Sequence, residues 1–403
     1  MTGGSGSPGQ RRRGEGITLF SDPRFRGLAG QLLLVGLIVW LGYAILSNAA
    51  VNLEKQHISS CFGFLDNSAG FGIVATLGSW LVGYSEQSTY GEAFLVGLIN
   101  TLAVAALAIV LATIIGFVLG IARLSSNWLL ARLAETYIEI LRNIPLLLQI
   151  FFWYFAVLRA LPVPRRSLTP GGGIFLNTRG LFFPAPLGEP GLGWSLLALC
   201  CGLAGALLVH WYSRRRQIAT GKPLRHGGLI IALCLAIGPG IFLATGMPVS
   251  WEIPALRGFN IQGGIVIIPE YAALVLALSL YTATFIGEIV RSGILAVSHG
   301  QTEAALAAGL TRGQALRLVV IPQAMRVIIP QLTSQYLNLT KNSSLAVAIA
   351  YPDLVSVFAG TSLNQTGQAL EVLAITMAVY LLLSLVTSAL MNWYNRRVAL
   401  VER

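Results

Sequence analysis

Three places in this 403-residue chain hold residue types able to do chemistry: a lysine in an apolar run, an arginine ahead of a proline, and a wet loop between apolar stretches. The lysine sits in TSQYLNLTKNSSLAVAIAY, where Lys341 has Gln335, Asn338, Thr340, Asn342, Ser343 and Ser344 as neighbours. An ammonium at mid-span costs several kcal/mol unless it is paired, hydrated or drawn to the interface. Its polar neighbours suit a bundle interior or a watery cavity, where a fixed cation can meet a substrate carboxylate. The competing reading is a structural lysine held by a buried acid or by helix carbonyls, and residue types alone leave both open. Asn338-Leu-Thr340 and Asn342-Ser-Ser344 also match glycosylation acceptors, which a membrane location rules out.

Arg142 follows Glu135 and Glu139. Together with Arg132 they are spaced for neighbouring turns of one helix, so ion pairing at its surface accounts for them, with substrate contact by Arg142 as the alternative. Pro145 interrupts the start of the next apolar run, and such a break can turn backbone groups toward a cavity. Glu288 is expected to snorkel or to pair with Arg291 rather than to gate.

The loop from Glu303 to Pro322 reads EAALAAGLTRGQALRLVVIP. Glu303, Arg312 and Arg317 keep it in water, and Ala304, Ala305, Ala307 and Ala308 give it a flat face. Gly309 fits a helix stop. A second short helix over 312–320 is predicted to end near Pro322. Such a pair of helices can dock into a groove on a soluble partner or simply lie at the membrane surface.

No catalytic residue is assigned. His57, His210, His226 and His299 lie far apart, and Cys61, Cys200, Cys201 and Cys234 show no metal-ligand spacing, so no metal or cofactor is expected on this chain. There is no GxxxxGK[ST]: Gly221-Lys222 is followed by Pro223 and lacks the upstream glycine. The chain cannot cradle ATP, so any ATP-driven step needs a separate subunit.

The elements that must carry these residues are membrane helices. The chain is 55% hydrophobic and 11% charged, with a mean hydropathy of +0.72, whereas soluble domains are about 25% charged. Runs of about 20 apolar residues match a bilayer core of about 30 Å. The fold class is all-α: a polytopic helical membrane protein with about eight spans, near 28–50, 93–121, 137–161, 193–212, 228–247, 269–290, 326–350 and 370–393. Continuous runs exclude a β-barrel. The net charge of +11 is scattered over short loops, so it orients the chain rather than binding nucleic acid. One set of loops holds Arg11–Arg13, Arg123, Arg132, Arg214–Arg216, Lys222, Arg291, Arg312, Arg317 and Arg396–Arg397, which predicts cytoplasmic termini and a cytoplasmic 291–325 loop.

The expected organisation is a disordered tail over 1–27, an extra first span with an external loop over 28–92, and a core over 93–161. External loops and a hairpin follow over 162–268, then a second core part over 269–395 and a tail over 396–403. The run from 28 exceeds a signal-peptide core of about 7–15 residues, so it reads as a retained anchor, with cleavage after Ala49 or Ala50 as the alternative.

The loop resembles the signature of binding-protein-dependent ABC importer permeases: Glu-Ala-Ala, three residues, Gly, nine residues, then Ile-x-Leu-Pro. Here Glu303, Ala304, Ala305, Gly309, Ile321 and Pro322 stand at that spacing, with Val319 and Ile321 as conservative aliphatic departures. Asn100-Thr101-Leu102, Glu139-Ile-Leu-Arg142-Asn-Ile-Pro145 and Lys341-Asn342-Ser343-Ser344-Leu345 resemble the polar amino-acid branch, and the extra span and hairpin resemble the long permease of its general L-amino-acid system. The resemblance implies a type I importer core in a bacterial inner membrane, with Glu303, Ala304, Ala305 and Gly309 in a coupling helix. It also implies a related second permease, two ATPase subunits that carry ATP and Mg, and a periplasmic amino-acid-binding protein. An ion-coupled secondary transporter and a purely structural membrane subunit are the alternatives.

Overall fold

The computed structural model describes residues 23–55, 62–222, 224 and 226–398. The basic N-terminal tail with Arg11–Arg13, His57, Cys61, Arg225 and the last five residues lie outside these. The chain divides into two compact units, residues 1–62 with 367–371 and residues 63–366 with 372–403. In the first, α1 (Pro23–Lys55) holds a candidate span at Gly27–Ile45.

In the second unit, α2 (Leu77–Val82) and the long α3 (Tyr90–Arg123) follow a short 3₁₀ helix (Phe62–Asp66). Both begin on capping boxes: Thr76 with Ser79, and Thr89 with Glu92. Next come the amphipathic α4 (Trp128–Asn143) and α5 (Leu146–Phe151), which runs on as a π-helical segment through Leu158. The expected single span over 137–161 is instead broken, with the chain axis turning by 104° between α4 and α5–Leu158. The cause is Pro145. It has no N–H to offer the carbonyl of Leu141, four residues back. Gln149, which is buried, repairs the break: its Nε2 donates to the carbonyls of Leu141 at 2.8 Å and Ile144 at 3.0 Å.

Short strands follow: β1 (Leu168–Gly171), β2 (Ile174–Asn177), β3 (Gly180–Phe183) and β4 (Ala185–Gly188). The hairpin α6 (Leu192–Thr220) and α7 (Gly227–Ala244) leads to β5 (Val249–Glu252), β6 (Ala255–Arg257), β7 (Asn260–Gln262) and β8 (Ile265–Ile267). The strands before the hairpin pair with those after it, β4 with β5 and β3 with β8, so both open ends of the hairpin lie on one side. This small antiparallel layer adds to an otherwise helical architecture. Its strands are three or four residues long, too short for alternation to register in the sequence. Gly202 and Gly238 let α6 and α7 touch: a Cβ on Gly202 would stand 2.3 Å from the carbonyl oxygen of Cys234.

The core is α3 against α8 (Pro269–Leu295). Small residues make this contact possible, as they do between membrane helices generally. A Cβ on Gly120 would fall 2.6 Å from the carbonyl oxygen of Gly287, and one on Gly116 2.5 Å from Ile286. After α8 come α9 (His299–Ala307), α10 (Arg312–Ala315) and α11 (Ile321–Asn342). The helix expected to stop near Pro322 does not stop. A π turn over Leu316–Val320, in which Ile321 N–H donates five residues back to Leu316, carries α10 into α11 with Pro322 in the first turn. Past Asn342 the span tightens to a 3₁₀ helix (Ser343–Ile349), breaks at Tyr351–Asp353, and resumes as a π segment (Val355–Ser362) that runs into α12 (Leu363–Thr366). The last element is α13 (Ala369–Val398). Among the described residues, seven helices are long and apolar enough to cross a membrane, or up to eight if the bent pair is one span.

Candidate functional site

The two faces of α11 differ. Ile328, Leu332 and Leu339 are buried against the core, while Gln331, Ser334, Asn338 and Lys341 are exposed at spacings of three and four residues. They form a polar stripe on one face of a membrane helix. Hydrocarbon offers no partners to such a face, so it belongs beside a water-filled path or another chain.

Two clefts open along it. The first, about 330 Å³, is lined by Arg142, Phe285, Glu288, Ile289, Gln331, Ser334 and Gln335. The guanidinium of Arg142 lies over the Phe285 ring at 4.9 Å. Among the described residues Arg142 forms no ion pair, so the ladder expected along α4 does not reach it. Arg132 does pair with Glu135 at 2.8 Å, and Glu135 also takes Arg123 at 3.3 Å. Glu288 pairs with Arg291 at 2.6 Å, as its spacing suggests, and also with Arg123. Arg123 thereby ties α3 to both α4 and α8.

The second cleft, about 520 Å³, is lined by Lys341, Ser344, Val355, Thr376, Met377, Tyr380, Leu381 and Ser384. Lys341 stands in the last turn of α11, exposed, and among the described residues no carboxylate lies within ion-pairing distance of it. The reading of a lysine held by a buried acid finds no partner there. Ser344 joins Lys341 in the cleft, its hydroxyl donating to the Lys341 carbonyl at 2.7 Å. Asn338 is exposed one turn before Lys341, and Asn342 is half-buried beside it. Ser343 is fully buried and donates to the carbonyl of Thr340 at 2.7 Å. The structure thus gathers Lys341, Ser344 and Asn338 at one end of the stripe. It leaves Arg142 at the other cleft and turns Ser343 into the protein.

Residue chemistry had not singled out Asn100. It is fully buried on α3. Its Nδ2 donates to the carbonyl of Pro352 at 2.8 Å and to Thr76 Oγ1 at 3.0 Å, and its Oδ1 accepts from Gly78 N–H at 2.9 Å. Thr101 Oγ1 accepts from Leu354 N–H at 3.0 Å. The pair pins the helix break at 351–354 to α3, and a Cβ on Gly97 would sit 2.9 Å from Leu354 Cα. Asp353 Oδ1 accepts from Ser356 N–H at 2.8 Å, capping the segment that follows. The available signal was an amide in an otherwise apolar run.

In the loop, α9 exposes nearly every residue, including Glu303 and Ala304, and only Ala305 is buried. Among the described residues the Glu303 carboxylate reaches only His299, at 3.7 Å. Gly309 ends the helix with φ +86°, its N–H donating to Leu306 at 2.9 Å and Leu310 N–H donating to Ala305 at 3.1 Å. This is a Schellman stop, which needs the left-handed conformation that glycine adopts freely. Thr311 and Gln314 then form a capping box that starts α10. Gln323 Nε2 donates to Gln301 Oε1 at 3.1 Å, tying α9 to the base of α11. Pro322 lies in the first turn of that helix and not on the exposed loop.

Apolar helices packed on small residues, one polar helix face left open and a protruding loop helix together define a membrane-embedded component of a solute transporter. The chain belongs to the family of binding-protein-dependent transport system inner membrane components, whose model matches residues 112–400. It is 51% identical to the putative amino-acid ABC transporter permease protein YhdX of Escherichia coli (strain K12), over 96% of this chain and 98% of that one. It is 49% identical to the general L-amino acid transport system permease protein AapQ of Rhizobium johnstonii, over 95% and 94%. It is 39% identical to the glutamate/glutamine/aspartate/asparagine transport system permease protein BztB of Rhodobacter capsulatus, over 96% of each.

Proposed function

We propose that this chain is one permease subunit of an ATP-driven, binding-protein-dependent importer of L-amino acids, forming the pathway with a related second permease in a bacterial inner membrane. The observation that carries the reading is the polar stripe of α11, which ends at an exposed Lys341 with no carboxylate partner among the described residues. An α-carboxylate is the anion common to L-amino acids, and an unpaired ammonium attracts it. Relatives named as amino-acid permeases support the same substrate class.

The helix α9 supplies the coupling surface. Glu303, Ala304 and Gly309 are open to a partner, and Gln301–Gln323 links that surface to α11. Two ATPase subunits with bound ATP and Mg seat on these helices from the cytoplasm, and a periplasmic amino-acid-binding protein delivers substrate from outside. ATP favours one state of the bundle, and the open face of α11 alternates between the two sides. Both termini lie in the cytoplasm, on the side where the basic loops concentrate. Ion-coupled transport needs an uncommitted intramembrane carboxylate. Glu288 is not such an acid, being held by Arg123 and Arg291.

Purification from membranes in mild detergent tests this assembly. The expected companions are a second permease, an ATPase and, with substrate present, a binding protein. A chain that purifies alone and still moves amino acids in vesicles would contradict it.

A further inference from the structure

The hairpin of α6 and α7 is not used by the function proposed above, and its charge is one-sided. From Pro190 to Trp251 the sequence holds Arg214, Arg215, Arg216, Lys222 and Arg225 and no aspartate or glutamate. Arg214–Arg216 and Lys222 are exposed, and among the described residues none of them is in an ion pair.

Helix lengths place this charge relative to the bilayer. With 18 residues, α7 spans about 27 Å at 1.5 Å per residue, close to the hydrocarbon thickness. With 29 residues, α6 spans about 43 Å, so its last turns project beyond the end of α7. Trp211 and Tyr212 are exposed where the projecting part begins, as befits aromatic residues at the interface. The guanidinium of Arg215 lies 4.1 Å over the Trp211 ring, which holds it at that level. Three successive arginines fan out by about 100° each around a helix. They therefore present cations around the helix at headgroup height and do not converge on one pocket. Since α6 enters from the side of the strand layer and α8 from the same side, the α6–α7 turn shares a side with α9.

We infer that the projecting end of α6 is a binding site for acidic phospholipids, with Arg214, Arg215 and Arg216 receiving phosphodiester headgroups and Lys222, just past the helix, adding charge. Basic clusters just beyond a membrane helix bind the anionic inner leaflet, and each cation near such a surface strengthens binding about fivefold. Neutralising three removes about a hundredfold. Arg-to-phosphate contacts are commonly bidentate, and the Trp211 ring limits the freedom of the Arg215 guanidinium.

The test is native mass spectrometry of the intact complex in mild detergent, supplied with phosphatidylglycerol or phosphatidylcholine. Retention of phosphatidylglycerol over phosphatidylcholine is expected, falling about a hundredfold in the R214Q/R215Q/R216Q variant and surviving in R214K/R215K/R216K. If the glutamine variant fails to assemble, the wild type still decides, because headgroup binding must weaken as salt rises. Equal retention of both lipids, or retention of phosphatidylglycerol that neither salt nor the glutamine substitutions change, overturns the proposal. Displacement by inorganic phosphate at the lipid's own concentration also overturns it, by making this a free-anion site.

Discussion

Gly309 allows the coupling surface to be perturbed without touching it. Its Cβ position has no heavy atom within 4 Å, so a side chain there meets no steric obstacle. The cost is in the backbone. At φ +86° an L-residue pays about 1–2 kcal/mol, a β-branched one more and asparagine less. The chain can relieve this strain only by abandoning the stop. It then loses the hydrogen bonds from Gly309 to Leu306 and from Leu310 to Ala305, together worth about 2 kcal/mol. The smaller of the two costs prevails, about 1–2 kcal/mol, or about a 5–30-fold shift away from the native end of α9. Gly313 is the control: it also has open space around its Cβ, but it lies in helical α10. In proteoliposomes holding the full complex, amino acid imported per ATP hydrolysed should fall in the order Gly309→Asn, Gly309→Ala, Gly309→Val, and hold in Gly313→Ala. An unchanged ratio in Gly309→Val, or an equal loss in Gly313→Ala, refutes the argument.

Three further outcomes follow from the packing. Asn100→Leu leaves the Gly78 N–H and the Pro352 carbonyl buried without partners, at about 1–3 kcal/mol each; the detergent-solubilised complex should melt several degrees lower, and an unchanged midpoint would count against the pin. Gly120→Ala places a Cβ against the Gly287 carbonyl and should destabilise by about 1–3 kcal/mol, whereas Gly240→Ala, with open space around it, should not; equal midpoints would show that α3 and α8 can part freely. Lys341→Met should abolish most uptake with assembly intact, while Lys341→Arg keeps part of it; uptake at the wild-type rate in Lys341→Met would make the lysine structural.

The helices were legible because continuous apolar runs admit little else, and the loop because Glu303, Arg312 and Arg317 interrupt them. Pro145 announced a break, but not its 104° angle or its repair by Gln149, which depends on a side chain folding back over a turn. Pro322 misled: a proline usually ends a helix, and the π turn that carries α10 past it leaves no mark in residue types. Lys341 read as a lone cation and Arg142 as one member of an ion-pair series on its helix, and only packing puts each beside its own cleft. Asn100 was visible as an amide in an apolar run, but its partners at Thr76–Gly78 and Pro352 lie elsewhere in the chain and could not be read.

In the proposed assembly this chain conducts L-amino acids on energy supplied by another subunit. Uptake of a labelled L-amino acid into vesicles holding the complex, with the binding protein outside, tests it directly. Accumulation should require ATP on the α9 side and the ATPase subunit, and should ignore an imposed proton gradient. Accumulation driven by the gradient after the ATPase is removed would make the chain an ion-coupled transporter instead.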